Sequence, residues 1–231
     1  MNKFFEENTN EIDTITIPFQ EVLSKEQKEL LLNYSNVVSY KEKDIIFKQN
    51  TRTSHIMFVK SGMVKIFKES KNDKIILFNL ASEGDYIGIM SVFGNDLFQY
   101  SASALTNSKI SYIDINAFKS VLDGNGKFAS MFIQWISKEG LYILDRLMSQ
   151  TYKQLPGRIA DVLLYFSEKI YQSPVFTLPL TRRELAELAG TTKESFIRTL
   201  TEFKNDKIIE LKGSEVEIKS MKIIKTLSRL G

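Results

Sequence analysis

The side chains that most often carry covalent or metal chemistry are nearly missing from this 231-residue chain, which has no cysteine and one histidine, His55. Thiolate metal sites, iron–sulfur clusters, disulfides and cysteine nucleophiles are thereby excluded, as is a multi-histidine metal centre. No nucleophile elbow, P-loop or paired-carboxylate constellation stands out, so an enzyme is not expected. The chemistry that remains is non-covalent recognition, and it is most concentrated in the stretch Thr181–Ile209. There Phe196, Leu200 and Phe203 recur at i, i+4 and i+7, one buried helical stripe, while Lys193, Glu194, Ile197, Arg198 and Thr201 fall on the opposite side. Charged and polar groups raised on a helix in this way are suited to hydrogen bonding with an external partner.

The elements that must position them follow from local signals. Thr181 with Glu184 forms a T-x-x-E start, in which hydroxyl and carboxylate each satisfy an orphan backbone N–H. Leu185, Ala186, Leu188 and Ala189 supply the buried face of a first short helix, and Gly190 stands where the chain must stop and turn. Thr191 with Glu194 repeats the T-x-x-E signal and predicts the start of the second helix. Helix, glycine turn and helix with a polar outer face is the sequence form of a helix-turn-helix, although an ordinary helical hairpin would share those features. The following residues, Ile208–Lys212 and Glu215–Lys219, alternate apolar and polar about Gly213-Ser214, which predicts a hairpin. A hairpin directly after the second helix makes the unit a winged helix-turn-helix and predicts binding to double-stranded DNA.

Charge distribution agrees weakly. From Pro156 onward there are 13 basic and 10 acidic residues, whereas Met1–Leu155 holds 18 of each, so the net +3 lies wholly in the part containing the helix-turn-helix. Hydrophobic residues make up 43% and charged residues 26%, values of a globular domain. No apolar run approaches the length of a membrane span, and the opening MNKFFEENTNEID lacks the apolar core of a signal peptide. The expectation is a cytoplasmic protein with no membrane contact.

Upstream, short strands separated by turns are predicted at Asp44–Lys48, Ile56–Val59, Met63–Phe67, Ile75–Leu80, Tyr86–Gly88, Tyr100–Leu105 and Ile110–Asp114, punctuated by glycines and by Lys71-Asn72-Asp73. Such spacing predicts an antiparallel barrel or sandwich. Lys127–Gln154 then reads as one long helix with two apolar faces, one of Ile133, Ile136, Gly140, Leu144, Leu147 and Thr151, the other of Phe128, Phe132 and Trp135. Two faces suit a helix that packs on the barrel and also on a second subunit, with Gly140 permitting close approach. Leu155-Pro156-Gly157 is expected to break the helix, and Arg158–Lys169 to form another. The expected domains are residues 1–126, 127–154 and 155–231.

In this order the blocks resemble the Crp/Fnr family of bacterial transcription regulators from about Val22 onward. The resemblance rests on Phe58-Val59-Lys60-Ser61-Gly62-Met63-Val64-Lys65, Glu83-Gly84-Asp85-Tyr86-Ile87-Gly88, Pro156-Gly157-Arg158-Ile159-Ala160 and the helix-turn-helix Thr181–Arg198. It implies an α+β chain with an N-terminal antiparallel jelly-roll sensor, a long dimerisation helix through Ile136, Gly140, Leu144, Leu147 and Thr151, and a C-terminal winged helix-turn-helix. It also implies a homodimer that reads a near-palindromic operator, with RNA polymerase as a further partner. The start of the second helix would enter the major groove with Lys193, Glu194, Ile197 and Arg198. A glutamate there can accept from cytosine N4, an arginine can make a bidentate contact with guanine, and Ile197 can touch a thymine methyl. Thr181, Arg182, Thr192 and Ser195 would hold phosphates and fix register.

The resemblance departs at the effector pocket. Cyclic-nucleotide binders of the family carry a glutamate for the ribose and an arginine for the phosphate, but the matching stretches here are Gly88-Ile89-Met90 and Tyr100-Ser101, with Ile143 and Leu144 at the adenine-contacting positions of the long helix. A buried cyclic phosphate facing no cation is strongly disfavoured. Cyclic AMP is therefore not the expected effector, and no iron–sulfur or other cofactor is expected. An apolar pocket of Gly88, Ile89, Met90, Tyr100, Ser101 and Ile143 either takes an unknown small molecule or is filled by its own side chains. The alternative is a cyclic-nucleotide-responsive regulator with an atypical pocket. His55, just before a predicted strand, reads as a solvent-facing or packing residue rather than a haem ligand.

Overall fold

The computed structural model describes residues 17–69 and 75–231. The Lys71-Asn72-Asp73 turn and the N-terminal stretch read for a signal peptide lie outside the described residues. Helix α1 (Lys25–Asn33) opens the fold with a capping box between Ser24 and Gln27. Strands β1 (Ser35–Tyr40), β2 (Ile45–Phe47), β3 (His55–Ser61), β4 (Val64–Glu69), β5 (Ile75–Ala81), β6 (Tyr86–Ile87), β7 (Ser101–Ala104) and β8 (Ser108–Asp114) follow, with the short helix α2 (Ile89–Gly94) between β6 and β7. They form two four-stranded antiparallel sheets, ordered β1-β8-β3-β6 and β2-β7-β4-β5. This double-sheet arrangement is the expected jelly roll. Its interior is closed by Ile56, Phe58, Ile110, Ile113 and Phe118, all fully buried. Each such side chain contributes about 1.5–3 kcal/mol on burial.

Helix α3 (Ile115–Gly124) is N-capped by Asp114, whose carboxylate accepts from the Asn116 and Ala117 N–H groups. The long helix α4 (Gly126–Tyr152) starts at Asn125, whose side chain accepts from Phe128 N–H. Phe128 and Phe132 are buried, and with Trp135 they set their rings on Phe118 and Tyr86 of the sensor. The chain breaks two residues earlier than the proline suggested. Lys153 and Gln154 are extended, and α5 (Leu155–Leu164) carries Pro156 in its first turn. A proline is tolerated there because the N–H it lacks would have had no helical partner anyway. A π-helical turn (Tyr165–Ile170) prolongs α5 to near the expected end.

The C-terminal domain holds β9 (Val175–Thr177), α6 (Arg182–Leu188), α7 (Lys193–Asn205), β10 (Ile209–Lys212), β11 (Glu215–Ile218) and α8 (Met221–Leu230). The Thr181–Glu184 capping box forms as read, and Gly190 has φ +63°. The second start differs by one residue. Thr191 N–H donates to Ala186 O at 2.9 Å and Gly190 N–H to Glu187 O at 3.1 Å, a pairing that closes the end of α6. With the Thr191 N–H spent on α6, Thr192 becomes the cap of α7 and accepts from Ser195 N–H at 3.2 Å, so the Thr191–Glu194 box does not form. The hairpin pairs Leu211 with Val216 across the Gly213-Ser214 turn, and β9 adds a third strand on β11.

Candidate nucleic-acid interface and sensor cavity

The helix-turn-helix is rigid because its inner faces share one core. Leu185, Leu188, Phe196, Leu200 and Phe203 are buried together with Ile159, Phe166 and Val216. Lys193, Glu194, Ile197, Arg198 and Thr201 are exposed on the outer face of α7. All four residues read as phosphate holders already serve the fold, Thr181 as the cap of α6. Thr192 Oγ1 lies 3.2 Å from Ser195 Oγ within the cap, leaving both hydroxyls at the start of α7. Arg182 is half-buried, and its guanidinium donates to the Gly213 carbonyl, tying α6 to the wing; desolvation draws its pKa below the ordinary value.

Along α4, Leu144 (56%), Leu147 (59%), Ile133, Leu141 and Met148 are solvent-exposed. Gly140 opens onto space rather than onto a neighbour. Ile136 instead packs partly against the sensor core, and Thr151 turns its hydroxyl onto the Leu147 carbonyl at 2.8 Å. Leu141 and Met148 join the exposed stripe although neither was singled out in the sequence.

A cavity of about 360 Å³ lies between β5, the β6–α2 segment and α4. Gly88, Ile89, Met90, Tyr100 and Ile143 line it as expected. Ser101 does not; it is buried in β7, where its hydroxyl accepts from Gln49 N–H at 3.0 Å. The sequence reading missed Trp135, Glu139, Arg146 and Gln150, which line the same wall from α4. Their spacing with Ile143, at steps of four, four, three and four, was a third helical stripe available in the sequence. Ile89 is buried, and burial pushes the Tyr100 hydroxyl up to about 12, partly offset by its hydrogen bond with Ser91. His55 is half-buried at the start of β3, with Nδ1 2.8 Å from Ser54 Oγ and its ring edge-on to Tyr112. Among the described residues no cluster of three metal-ligating side chains occurs, and no helix is long and apolar enough to cross a membrane.

The two domains are joined by contacts that no local pattern announces. Phe67, Leu77 and Leu80 of the sensor belong to the same apolar cluster as α5 and α6. Lys65 Nζ sits 2.7 Å from Glu184 Oε1, and Tyr165 Oη donates to Leu80 O at 2.9 Å. Desolvation alone would raise the Glu184 carboxyl, but hydrogen bonds from Lys65 and from the Thr181 N–H and hydroxyl outweigh it, leaving the group below the ordinary carboxylate value. Arg146 Nη2 donates to Leu188 O at 2.7 Å, at the end of α6. At the joint, Asp161 collects Lys153 Nζ at 2.8 Å and Ser228 Oγ at 2.6 Å, fixing the linker and α8 to α5.

Comparison with known proteins fits this two-part site. A family model for a cyclic nucleotide-binding domain matches residues 37–125, and one for a Crp-like helix-turn-helix domain matches residues 157–227. A CRP-like cAMP-activated global transcriptional regulator of Mycobacterium tuberculosis is 22% identical over 75% of this chain and 79% of its own length. The anaerobic regulatory protein of Bacillus subtilis is 20% identical over 84% of each. The structure of FixK2 from Bradyrhizobium japonicum shares the fold with a TM-score of 0.77, at 16% identity over 84% of this chain and 96% of that one. The chain belongs to the Crp/Fnr family of DNA-binding transcription regulators.

Proposed function

We propose that the chain acts as a homodimer that binds a near-palindromic operator, reading bases with Lys193, Glu194, Ile197 and Arg198 of α7. The carrying observation is the division of α7 into a buried Phe196–Leu200–Phe203 side and an exposed polar outer side. The exposed stripe of α4 supports the dimer, because a large apolar patch on a single chain favours an isologous contact. Thr181, Arg182, Thr192 and Ser195 serve the phosphates in this reading, and RNA polymerase is the further partner at the promoter. The protein regulates rather than catalyses, needs no metal or cofactor, and acts in the cytoplasm.

Cyclic AMP is not the effector in this reading. The carboxylate and guanidinium positions are Ile89, which is buried, and Tyr100, which is half-buried, both neutral groups in the cavity wall. One observation favours the alternative of an atypical cyclic-nucleotide site: the Arg146 guanidinium lines the same cavity. It is, however, already hydrogen-bonded to the end of α6. Selection of bound sequences from a random DNA pool, followed by gel shifts at several salt concentrations, tests the function. A two-fold-related motif and steeply salt-dependent affinity are expected. Salt-independent binding, or an enriched site without symmetry, would overturn the proposal. Calorimetry with cyclic AMP tests the effector statement, and a clear isotherm would refute it.

A further inference from the structure

We infer that Lys65 and Arg146 are positioning residues for operator reading: they pin α6 at its two ends, one to the sensor and one to α4, and so set the half-site spacing. The inference rests on the homodimer proposed above. Helix α6 has seven residues, about 10 Å of axis, and is followed at once by the Gly190 turn and α7. Its direction therefore fixes that of the reading helix, and two points fix a direction. At the first end, Glu184 Oε2 accepts from Thr181 N–H at 2.9 Å, and its other oxygen meets Lys65 Nζ of β4 at 2.7 Å. At the last end, the Ala186 and Glu187 carbonyls are taken by the Thr191 and Gly190 N–H groups that close the helix. The Leu188 carbonyl takes Arg146 Nη2 of α4 at 2.7 Å instead. A cation suits that place, because the last carbonyls of a helix form its negative end. Gln150, one turn beyond Arg146 on α4, backs the same turn: a Cβ on Gly190 would lie 3.2 Å from its Cγ and Cδ. The apolar cluster with Leu77 and Leu80 presses α6 onto the sensor but is non-directional, whereas the two charge-assisted bonds prescribe an orientation. Arg158 provides the contrast. Its Nη1 donates to Gly190 O at 2.8 Å from α5, within the C-terminal domain, so it stiffens the turn without locating the domain. About a two-fold axis, any swing of α6 moves the two α7 helices in opposite senses, and the distance between half-sites follows.

The test uses the full chain and gel shifts on the operator recovered by selection, on versions with the half-sites moved together or apart, and on a single half-site. One base pair displaces a half-site by about 3.4 Å and rotates it by about a tenth of a turn. Wild type should lose about ten- to hundredfold in affinity for a shift of one base pair, the ratio of one hydrogen bond to a charged group. Arg146→Met should reduce that penalty to about threefold or less and leave half-site affinity unchanged. Arg146→Lys, whose ammonium can still donate to Leu188 O, should restore most of it. Lys65→Met releases the other end of α6 and should relax the spacing in the same way, so it serves should Arg146→Met lower the melting temperature sharply. Arg158→Met should instead weaken every spacing by one common factor. Equal loss on all spacings for Arg146→Met and Lys65→Met overturns the inference, as does a relaxation by Arg158→Met as large as theirs. Wild-type protein that binds every spacing and the single half-site alike overturns the homodimer reading as well.

Discussion

Replacing Leu144 and Leu147 together by aspartate should convert the protein to a monomer that loses operator binding. The two leucines are 56% and 59% exposed in the single chain, so roughly half of each side chain remains to be covered. Fully burying a leucine side chain is worth about 1.5–3 kcal/mol, which leaves about 1 kcal/mol per leucine for a partner helix to gain. A two-fold axis uses each leucine twice, so the lost burial comes to about 4 kcal/mol per dimer. At about 1.4 kcal/mol per tenfold, that alone weakens association by about three orders of magnitude, before the desolvation of the introduced carboxylates is added. Because both positions are open in the isolated chain, circular dichroism and thermal unfolding should show an intact fold. Leu147 also lines the sensor cavity and Leu144 does not, so the single Leu144→Asp variant isolates the interface effect. Sedimentation velocity across a concentration series, paired with gel shifts on whole and half operators, reads the outcome. A folded double variant that still sediments as a dimer at wild-type concentrations would refute the assignment of this face.

Arg198→Ala should cost about 1–3 kcal/mol at one base pair and flatten the preference there on a panel of single-base operator variants. Arg182→Ala should weaken every variant alike and lower the salt slope by about one, so an equal loss across the panel for Arg198→Ala would recast it as a phosphate clamp. Gly157→Ala should destabilise the C-terminal domain by about 1–3 kcal/mol, because the added Cβ would lie 2.8 Å from Gly231 Cα and 2.9 Å from Leu227 O, both backbone atoms. An unchanged melting temperature would show that α8 yields freely. The depressed Glu184 pKa makes its interdomain contact stabilising above the ordinary carboxylate range and loses it as pH falls through the folded-state value. Glu184→Gln should therefore remove part of the acid limb of a stability–pH profile, and an identical profile would assign that limb to other carboxylates.

What could be read from the sequence was what local chemistry specifies. Gly190, the Thr181–Glu184 box and the Phe196–Leu200–Phe203 stripe each act within a few residues, and the helix-turn-helix was legible from them. The cap of α7 was misplaced because Thr191 and Thr192 each carry a polar residue three positions on. The choice was made by how α6 ends, not by the start of α7 itself. Strand β1 and helices α1, α2, α3 and α8 escaped notice, and so did β9, whose three residues gain their order from pairing with β11. Residues Gly88–Met90 and Tyr100 line one cavity, and in the sequence only a family resemblance grouped them. The opposite wall, contributed by α4, needed the helix to be docked before its polar stripe had meaning.

The same elements that wall the cavity also hold the helix-turn-helix. In β5, Leu77 both lines the cavity and enters the apolar cluster that contains α5 and α6, with Leu80 beside it. On α4, Arg146 lines the cavity and donates to the last carbonyl of α6. On β4, Ile66 lines the cavity one residue from Lys65, which pairs with the capping carboxylate of α6. Each of these links is short, and each ends on α6 or on the core beneath it, whose orientation fixes that of α7. A ligand shifts such a system only by the difference in its affinity for two arrangements, typically 1–3 kcal/mol of coupling. Asn79 accepts from Tyr165 Oη at 3.0 Å, Glu139 pairs with Lys169 and Gln150 lies against Gly190, so these cavity-lining side chains carry the same kind of link as Leu77, Ile66 and Arg146.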